Sequence, residues 1–180
     1  MLWQTLRERV DSASVSIPGA AAQRPIIHVD STSQTLRLVS PEEPLELVYP
    51  VSTSRFGLGQ QKDSFQTPTG IHRICEMIGN GEPLGRVFKS RQPTSQLCRI
   101  DNADSQLDVI STRILWLEGL QPGLNQGGDV DSRQRYIYIH GTADEAHIGE
   151  PASIGCVRMK NVDVVALFER VQVGDLVVIE

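Results

Sequence analysis

Cys156 and His140 are the two residues of this sequence whose types and spacing best suit covalent chemistry. His140 ends the apolar run 136–140, so a strand would present its ring at the rim of a sheet. Cys156 follows Gly155, which permits a tight turn whose backbone N–H groups face a cleft and hold an oxyanion. A histidine beside a thiol is the usual activator of a sulfur nucleophile. Taken alone, the pair is weak evidence for a thiol nucleophile, and the residues by themselves favour a core cysteine and a hydrogen-bonded histidine at a strand end.

Residues near the pair extend this hypothesis. Arg158 would supply a fixed cation for a carboxylate. A helix is expected to start shortly after Cys156, and its dipole would favour the thiolate. A metal site is disfavoured, because His147 is the one further ligand nearby and none of the three cysteines has CxxC spacing. The odd number of cysteines also argues against a disulfide framework.

Composition limits the class of protein. The chain has 180 residues, of which 39% are hydrophobic and 22% charged, as expected for one globular domain with a core. No apolar run approaches the roughly 18 residues of a membrane span. The net charge of −5, without a basic cluster, disfavours nucleic acid and anionic membranes. We therefore expect neither a membrane span nor a nucleic-acid partner.

Short β-strands are the elements that must position the pair. Apolar alternation bounded by turn residues predicts strands at 25–30, 35–39, 45–51, 71–78, 113–117, 136–140 and 176–179. Residues 79–108 are rich in turn residues and give no assignment. The glycine-rich loop 118–135 is predicted to be functional or mobile. The fold class is therefore predicted to be mainly β.

One helix is predicted near each end of the chain. Apolar residues recur with helical spacing over 2–10, and a linker rich in Ser, Ala and Gly follows at 11–23. The second helix is predicted to begin with Asn161 as its N-cap and to end at Gly174.

The chemistry-bearing segments resemble the L,D-transpeptidase catalytic (YkuD) domain family. The resemblance is carried by His140-Gly141-Thr142, Ser153-Ile154-Gly155-Cys156-Val157-Arg158, Thr67-Pro68-Thr69-Gly70 and the closing run 174–179. It covers residues 25–180 and leaves 1–24 as an N-terminal helix and linker. It implies a YkuD-like β-sandwich with a C-terminal helix and a lid loop, residues 118–135, over a cysteine active site.

The resemblance also implies a role for each residue at the centre of the site. Cys156 would be the nucleophile and His140 the general base, whose ring the backbone at Gly141 would orient. The backbone N–H groups of Gly155 and Cys156 would hold the oxyanion.

The same resemblance implies roles for the residues around that centre. Arg158 would bind or order the substrate stem, and Ser153 and Asn161 would shape the loop that receives it. Ile154 departs from the family pattern, because it stands where a second histidine is usual and cannot exchange a hydrogen bond.

The reaction implied is acyl transfer on peptidoglycan tetrapeptide stems, without a metal or cofactor. Cys156 would attack the carbonyl of the third, L-centred residue (diaminopimelate or lysine) and expel D-Ala. Water would release the thioester in an L,D-carboxypeptidase that trims muropeptides, and an amine would release it in a transpeptidase that forms 3→3 crosslinks. The partner would be a stem peptide or muropeptide, bound by a monomer. The alternative is a non-catalytic peptidoglycan- or peptide-binding module that retains the fold.

Charges near the N-terminus bear on the compartment. Arg7, Glu8 and Arg9 stand where a signal peptide needs its apolar core. A chain that truly starts at Met1 is therefore expected in the cytoplasm, where hydrolysis of soluble muropeptides would dominate. A trimmed chain would belong to the periplasm or the cell wall.

Overall fold

The structure, a computed structural model, describes residues 2–13, 15, 17, 23–42, 46–99 and 108–180. The described residues form two α-helices and ten β-strands, so the predicted mainly β fold class is confirmed. The helices are α1 (Leu2–Ser12) and α2 (Asn161–Phe168). The strands are β1 (Ile26–Asp30), β2 (Thr35–Val39), β3 (Leu47–Ser52), β4 (Gly70–Ile78), β5 (Arg86–Lys89), β6 (Gln92–Leu97), β7 (Ile110–Gly119), β8 (Tyr138–Thr142), β9 (Val157–Met159) and β10 (Leu176–Ile179).

The strands belong to one sheet that closes on itself. Eight of them follow the order β4-β10-β1-β2-β3-β9-β8-β7, and a further pairing of β4 with β7 completes the ring. The hairpin β5–β6 continues from β7 beyond the end of β4. The pairs β1–β10 and β8–β9 are parallel, whereas the other neighbouring strands run antiparallel.

Apolar side chains cover both faces of the sheet around β10. Val177 and Ile179 join the main core, to which α2 contributes its buried face. Leu176 and Val178 point the other way and pack with α1. This two-sided burial explains why residues 176–179 form a continuous apolar run rather than an alternating one. Neither helix is long and apolar enough to span a bilayer, a finding that concerns the described residues.

Most of the predicted elements are confirmed, with shifts of a few residues at their ends. Leu45, the predicted start of the third strand, lies outside the described residues. The hairpin β5–β6 was missed because β6 is largely exposed and lacks apolar alternation. The strand β9 was missed because it has only three residues.

The predicted boundaries of the C-terminal helix are wrong at both ends. Lys160, with extended φ and ψ of −60° and 147°, is the N-cap, and Asn161 is the first helical residue. The Asn161 side chain is buried and donates to the Thr142 carbonyl over 2.7 Å, so tertiary contacts take the place of a cap. The helix ends at Phe168, and Gly174 lies in the later turn that leads into β10.

The contact between α1 and the sheet gives a testable expectation. Leu6 is 3% exposed in the cluster that joins α1 to β10. Leu6→Ala should lower the free energy of unfolding by about 2–5 kcal/mol, the usual cost of deleting a buried leucine side chain. Urea unfolding measures this change, with Gln4→Ala on the exposed face of α1 as the control. Equal midpoints for both variants would mean that α1 unfolds separately from the sheet.

Candidate active site

The register of β8 and β9 places the predicted nucleophile and base on one face of the sheet. Ile139 pairs with Val157 in parallel register, and both side chains are fully buried in the main core. Because successive side chains of a strand alternate between faces, their neighbours point to the opposite side. His140 on β8 and Cys156, just before β9, therefore both face away from the main core, and both line one cleft.

The sulfur of Cys156 is held by the backbone that precedes and begins β8. The Tyr138 N–H donates to Sγ over 3.4 Å, and the thiol lies 3.5 Å from the Tyr136 carbonyl oxygen, to which it donates. The Cys156 side chain is half-buried and packs against a small apolar cluster that contains Phe88 and Ile114. These contacts fix one position for the sulfur at the floor of the cleft.

His140 has a defined tautomer. Its ring is 1% exposed, and Nδ1 lies 2.7 Å from the Gly141 carbonyl oxygen. A carbonyl oxygen only accepts, so Nδ1 carries the proton and Nε2 of the neutral ring keeps its lone pair. The backbone at Gly141 thus holds the His140 ring, and Nε2 is the nitrogen available to take a proton.

Both members of the pair are uncharged at neutral pH. Burial raises the pKa of the Cys156 thiol to about 12, against a smaller lowering by the Tyr138 N–H. Burial also lowers the pKa of His140, against smaller opposite effects of the Gly141 carbonyl and Asp108. The expectation that a helix dipole favours the Cys156 thiolate is wrong, because β9 separates Cys156 from the start of α2. The resting site therefore holds a thiol and a neutral imidazole that line the same cleft.

Hydroxyl groups fix the loop before the cysteine. Ser153 Oγ donates to the Cys156 carbonyl over 2.5 Å and accepts from the Gly155 N–H over 3.2 Å. Thr67 Oγ1, from the Thr-Pro-Thr-Gly motif, donates to the Gly155 carbonyl over 2.9 Å. Gly155 has a φ of +131°, a conformation that side-chain-bearing residues rarely adopt, which explains the glycine before the cysteine.

Arg158 is enclosed by carboxylates of the chain itself. Its side chain is 6% exposed, and Nη2 donates to Asp108 Oδ1 over 2.6 Å. Nη1 lies 3.6 Å from Asp144 Oδ2. The structure thus brings Arg158 next to the pair, since it is the register partner of His140, but turns its charge toward Asp108 at the cleft wall.

Asn161 ties β7 and β8 to the start of α2. Its Oδ1 accepts from Ser111 Oγ over 2.7 Å and from Thr112 Oγ1, and its Nδ2 donates to Glu145 as well as to the backbone of β8. The amide supports the strand that carries His140 and does not line the cleft.

The cleft has a volume of about 550 Å³ and contains residues that sequence analysis did not assign. Its lining combines apolar, cationic and acidic side chains: Phe65, Ser90, Arg91, Asp108, Ile110, Arg135, Tyr136, Tyr138, His140, Ser153, Ile154 and Cys156. Ile154, in the place of the family's second histidine, is 41% exposed on this wall. The described lining includes none of the other cysteines and histidines of the sequence: Cys75, Cys98, His28, His72 and His147.

The loop 118–135, predicted to be a lid, reaches the cleft only with its last residue, Arg135. Asn125 is fully buried in the middle of this loop and donates to the carbonyls of Thr69 and Ile71, at the start of β4. Asn125 therefore fastens the middle of the loop to the sheet, and the part of the loop that meets the cleft is limited to Arg135. The turn between β5 and β6 occupies the cleft rim instead.

Comparison with known proteins agrees with this architecture. The family model of the L,D-transpeptidase catalytic domain (YkuD) matches residues 24–179. An L,D-transpeptidase from Mycobacterium smegmatis superposes with a TM-score of 0.51 at 18% identity, over 87% of this chain and 58% of that chain. L,D-transpeptidase 3 from Mycobacterium tuberculosis, in complex with a faropenem-derived adduct, superposes with a TM-score of 0.51 at 16% identity. The match covers 87% of this chain and 60% of that chain. No curated protein matches the chain.

A third structure, an L,D-transpeptidase from Stackebrandtia nassauensis, gives a TM-score of 0.50 at 17% identity, over 93% of this chain and 58% of that chain. The chain thus spans less than two thirds of these structures. The fold is a mainly β domain, and its cleft is lined by a cysteine and a histidine. By its family match, the chain belongs to the L,D-transpeptidase catalytic domain family.

The protonation states of the pair predict how Cys156 reacts with a small alkylating agent. With a thiol pKa of about 12 and a neutral His140, the thiolate fraction should rise about tenfold per pH unit. Iodoacetamide labelling of Cys156, followed by peptide mass spectrometry from pH 7 to 10, should show this rise without a plateau. Cys156→Ala serves as the control for labelling of Cys75 and Cys98. A plateau that begins below pH 7 would instead indicate a preformed thiolate–imidazolium pair.

Proposed function

We propose that this chain is a cysteine acyl-transfer enzyme that acts on peptidoglycan tetrapeptide stems, with Cys156 as nucleophile and His140 as general base. The observation that carries the proposal is the pairing of β8 with β9, which brings His140 on β8 and Cys156, just before β9, to one cleft. The family supplies the substrate class, because L,D-transpeptidases act on peptidoglycan.

The first half of the reaction forms a thioester. As Sγ of Cys156 bonds to the carbonyl carbon of the third stem residue, His140 Nε2 takes the thiol proton. The tetrahedral intermediate then collapses, the bond to D-Ala breaks, and the imidazolium returns the proton to the departing amine. We assign proton transfer to the attack step, since burial raises the pKa of Cys156 and lowers that of His140, and both shifts disfavour a preformed ion pair.

The oxyanion of the intermediate needs backbone donors at the turn before β9. The Gly155 N–H is directed to Ser153 Oγ, so we assign the main contact to the Cys156 N–H. The hydroxyls of Thr67 and Ser153 hold the carbonyls of Gly155 and Cys156, and this fixes the peptide plane between them. These two hydroxyls would act by positioning, without contact with the reacting atoms.

The second half releases the acyl group. Water or an amine attacks the thioester carbonyl, His140 Nε2 takes its proton, and the sulfur leaves and regains a proton from the imidazolium. Water yields a tripeptide, and an amine yields a 3→3 crosslink. Both outcomes use the same pair of residues.

Substitution of the pair tests the assigned roles. Cys156→Ala should abolish release of D-Ala from a disaccharide tetrapeptide, because no thioester can form. His140→Ala should lower the rate by about 10²–10⁴-fold, the usual contribution of a general base. Cys75→Ala is the matched control, since Cys75 is a half-buried thiol in β4 outside the described cleft lining, and it should retain activity. Full activity in Cys156→Ala would overturn the mechanism.

An acylating inhibitor distinguishes the enzyme from a non-catalytic binding module. One relative is described in complex with a faropenem-derived adduct. We expect faropenem to add a covalent mass to Cys156 in the wild-type chain and in Cys75→Ala, and not in Cys156→Ala. Intact-protein and peptide mass spectrometry would measure this. An unmodified wild-type protein after prolonged incubation would favour the binding module.

Analysis of the products shows whether water or an amine accepts the acyl group. We expect hydrolysis to dominate with a disaccharide tetrapeptide as the sole substrate, since an enzyme overcomes water at about 55 M only with a built acceptor site. Mass spectrometry should then show tripeptide and free D-Ala. A majority of 3→3 dimers, or exchange of added D-amino acids, would assign the transpeptidase reaction instead.

A further inference from the structure

Arg91 is placed at the cleft rim by an unusual turn. The hairpin β5–β6 turns through Ser90 and Arg91, whose φ values are 49° and 65°. Two-residue hairpin turns with positive φ at both positions strongly prefer Asn-Gly or related pairs, because other side chains are strained there. Backbone strain of this kind is concentrated at functional sites, and here it brings a cation to the wall of the cleft.

The guanidinium of Arg91 is held by aromatic rings. It lies 4.5 Å from the ring centroid of Trp116 and 5.0 Å from that of Tyr136. Its Nη1 donates to the Tyr138 hydroxyl over 3.2 Å. The rings orient the planar cation by cation–π attraction and consume few of its five N–H donors.

Two other arginines near Cys156 are already occupied. Arg135 donates to the carbonyls of Gly59, Gln60 and Gln66, and Arg158 pairs with Asp108. Within the described residues, Arg91 is the cleft-lining arginine whose guanidinium meets rings and a hydroxyl rather than carbonyl or carboxylate oxygens. Its planar edge suits two parallel hydrogen bonds to a carboxylate.

Tyr138 sets the distance from this cation to the nucleophile. Its backbone N–H contacts Sγ of Cys156 at 3.4 Å, and its hydroxyl contacts Arg91 at 3.2 Å. The guanidinium and the sulfur are therefore separated by one tyrosine side chain. A carboxylate a few bonds from an attacked carbonyl would lie within this span.

We propose that Arg91 binds a carboxylate of the acyl donor and thereby selects stems that carry one near the scissile bond. This inference rests on the proposed function. Two groups of a tetrapeptide stem have the required chemistry: the terminal carboxylate of D-Ala, and the side-chain carboxylate of diaminopimelate at the third position, which lysine lacks. Arg91 is a specificity-determining residue under either assignment.

The test compares two arginines that both lie over the indole ring of Trp116. Arg91 and Arg133 both lie over Trp116, but only Arg91 belongs to the described cleft lining. Arg91→Gln and Arg133→Gln would be assayed with three disaccharide tetrapeptides: one with free carboxylates, one amidated on the third side chain, and one amidated at its C-terminus. Iodoacetamide labelling of Cys156, which involves no carboxylate, checks that the site stays intact.

The wild type should lose about 10- to 100-fold in kcat/KM on the amidated stem whose carboxylate Arg91 binds, as expected for a hydrogen bond between charged groups. On the stem with free carboxylates, the kcat/KM of Arg91→Gln should be lower than that of the wild type by the same factor. On the amidated stem that lacks the bound carboxylate, Arg91→Gln and the wild type should have equal kcat/KM. Arg133→Gln should behave as the wild type on all three stems. The amide that wild type discriminates identifies the carboxylate.

Two results would overturn the inference alone: an equal loss in Arg91→Gln on all three stems, or equal behaviour of the two variants. A wild type that turns over none of the stems would remove the proposed function, and the inference with it. Binding of the free stem to Cys156→Ala, measured by calorimetry, separates these cases because it needs no turnover. If the double variant with Cys156→Ala and Arg91→Gln binds the free stem as tightly as Cys156→Ala alone, the role proposed for Arg91 is wrong.

Discussion

The parallel pairing of β8 with β9 is the constraint on which the site depends. The strands are aligned by burial of Ile139 and Val157 in the main core, and this register directs His140 and Cys156 to the cleft. A slip of β9 by one residue would turn its side chains to the opposite face, so Val157 would leave the core and Cys156 would no longer share a face with His140. The geometry of the candidate site is therefore specified by hydrophobic burial on the opposite face of the sheet.

Buried polar side chains then fix the irregular segments around that sheet. Asn125, Asn161 and Thr67 are fully buried, and each is hydrogen-bonded to backbone atoms far away in the sequence. An unpaired polar group in such a position would cost a large part of the net stability, so each contact strongly favours one loop conformation. Each of these three segments is accordingly tied to the sheet or to the turn before β9 by a buried polar side chain.

Local patterns predicted much of this fold, and they failed where tertiary contacts decide. Strands with apolar alternation and the Gly155-Cys156 turn were identified from local patterns, whereas the Thr-Pro-Thr-Gly motif that meets this turn was identified only by the family resemblance. The hairpin that presents Arg91 was missed, because β6 is mostly exposed and its turn lacks glycine and asparagine. The charge state of Cys156 could not be predicted from the sequence either, because its thiol pKa is raised by burial against strands that are distant in the chain.

The place of β10 bears on how the chain acquires its structure. This strand comes after every other described strand in the sequence, yet it lies between β1 and β4 and pairs residues 26–29 with 176–179. The ring thus remains open during synthesis until β10 has left the ribosome. Pairings of such long sequence separation are slow to form, because the loop entropy is lost before the contacts are gained. The edges of β1 and β4 are therefore unpaired in the nascent chain. We expect the nascent chain to aggregate more readily than the completed fold.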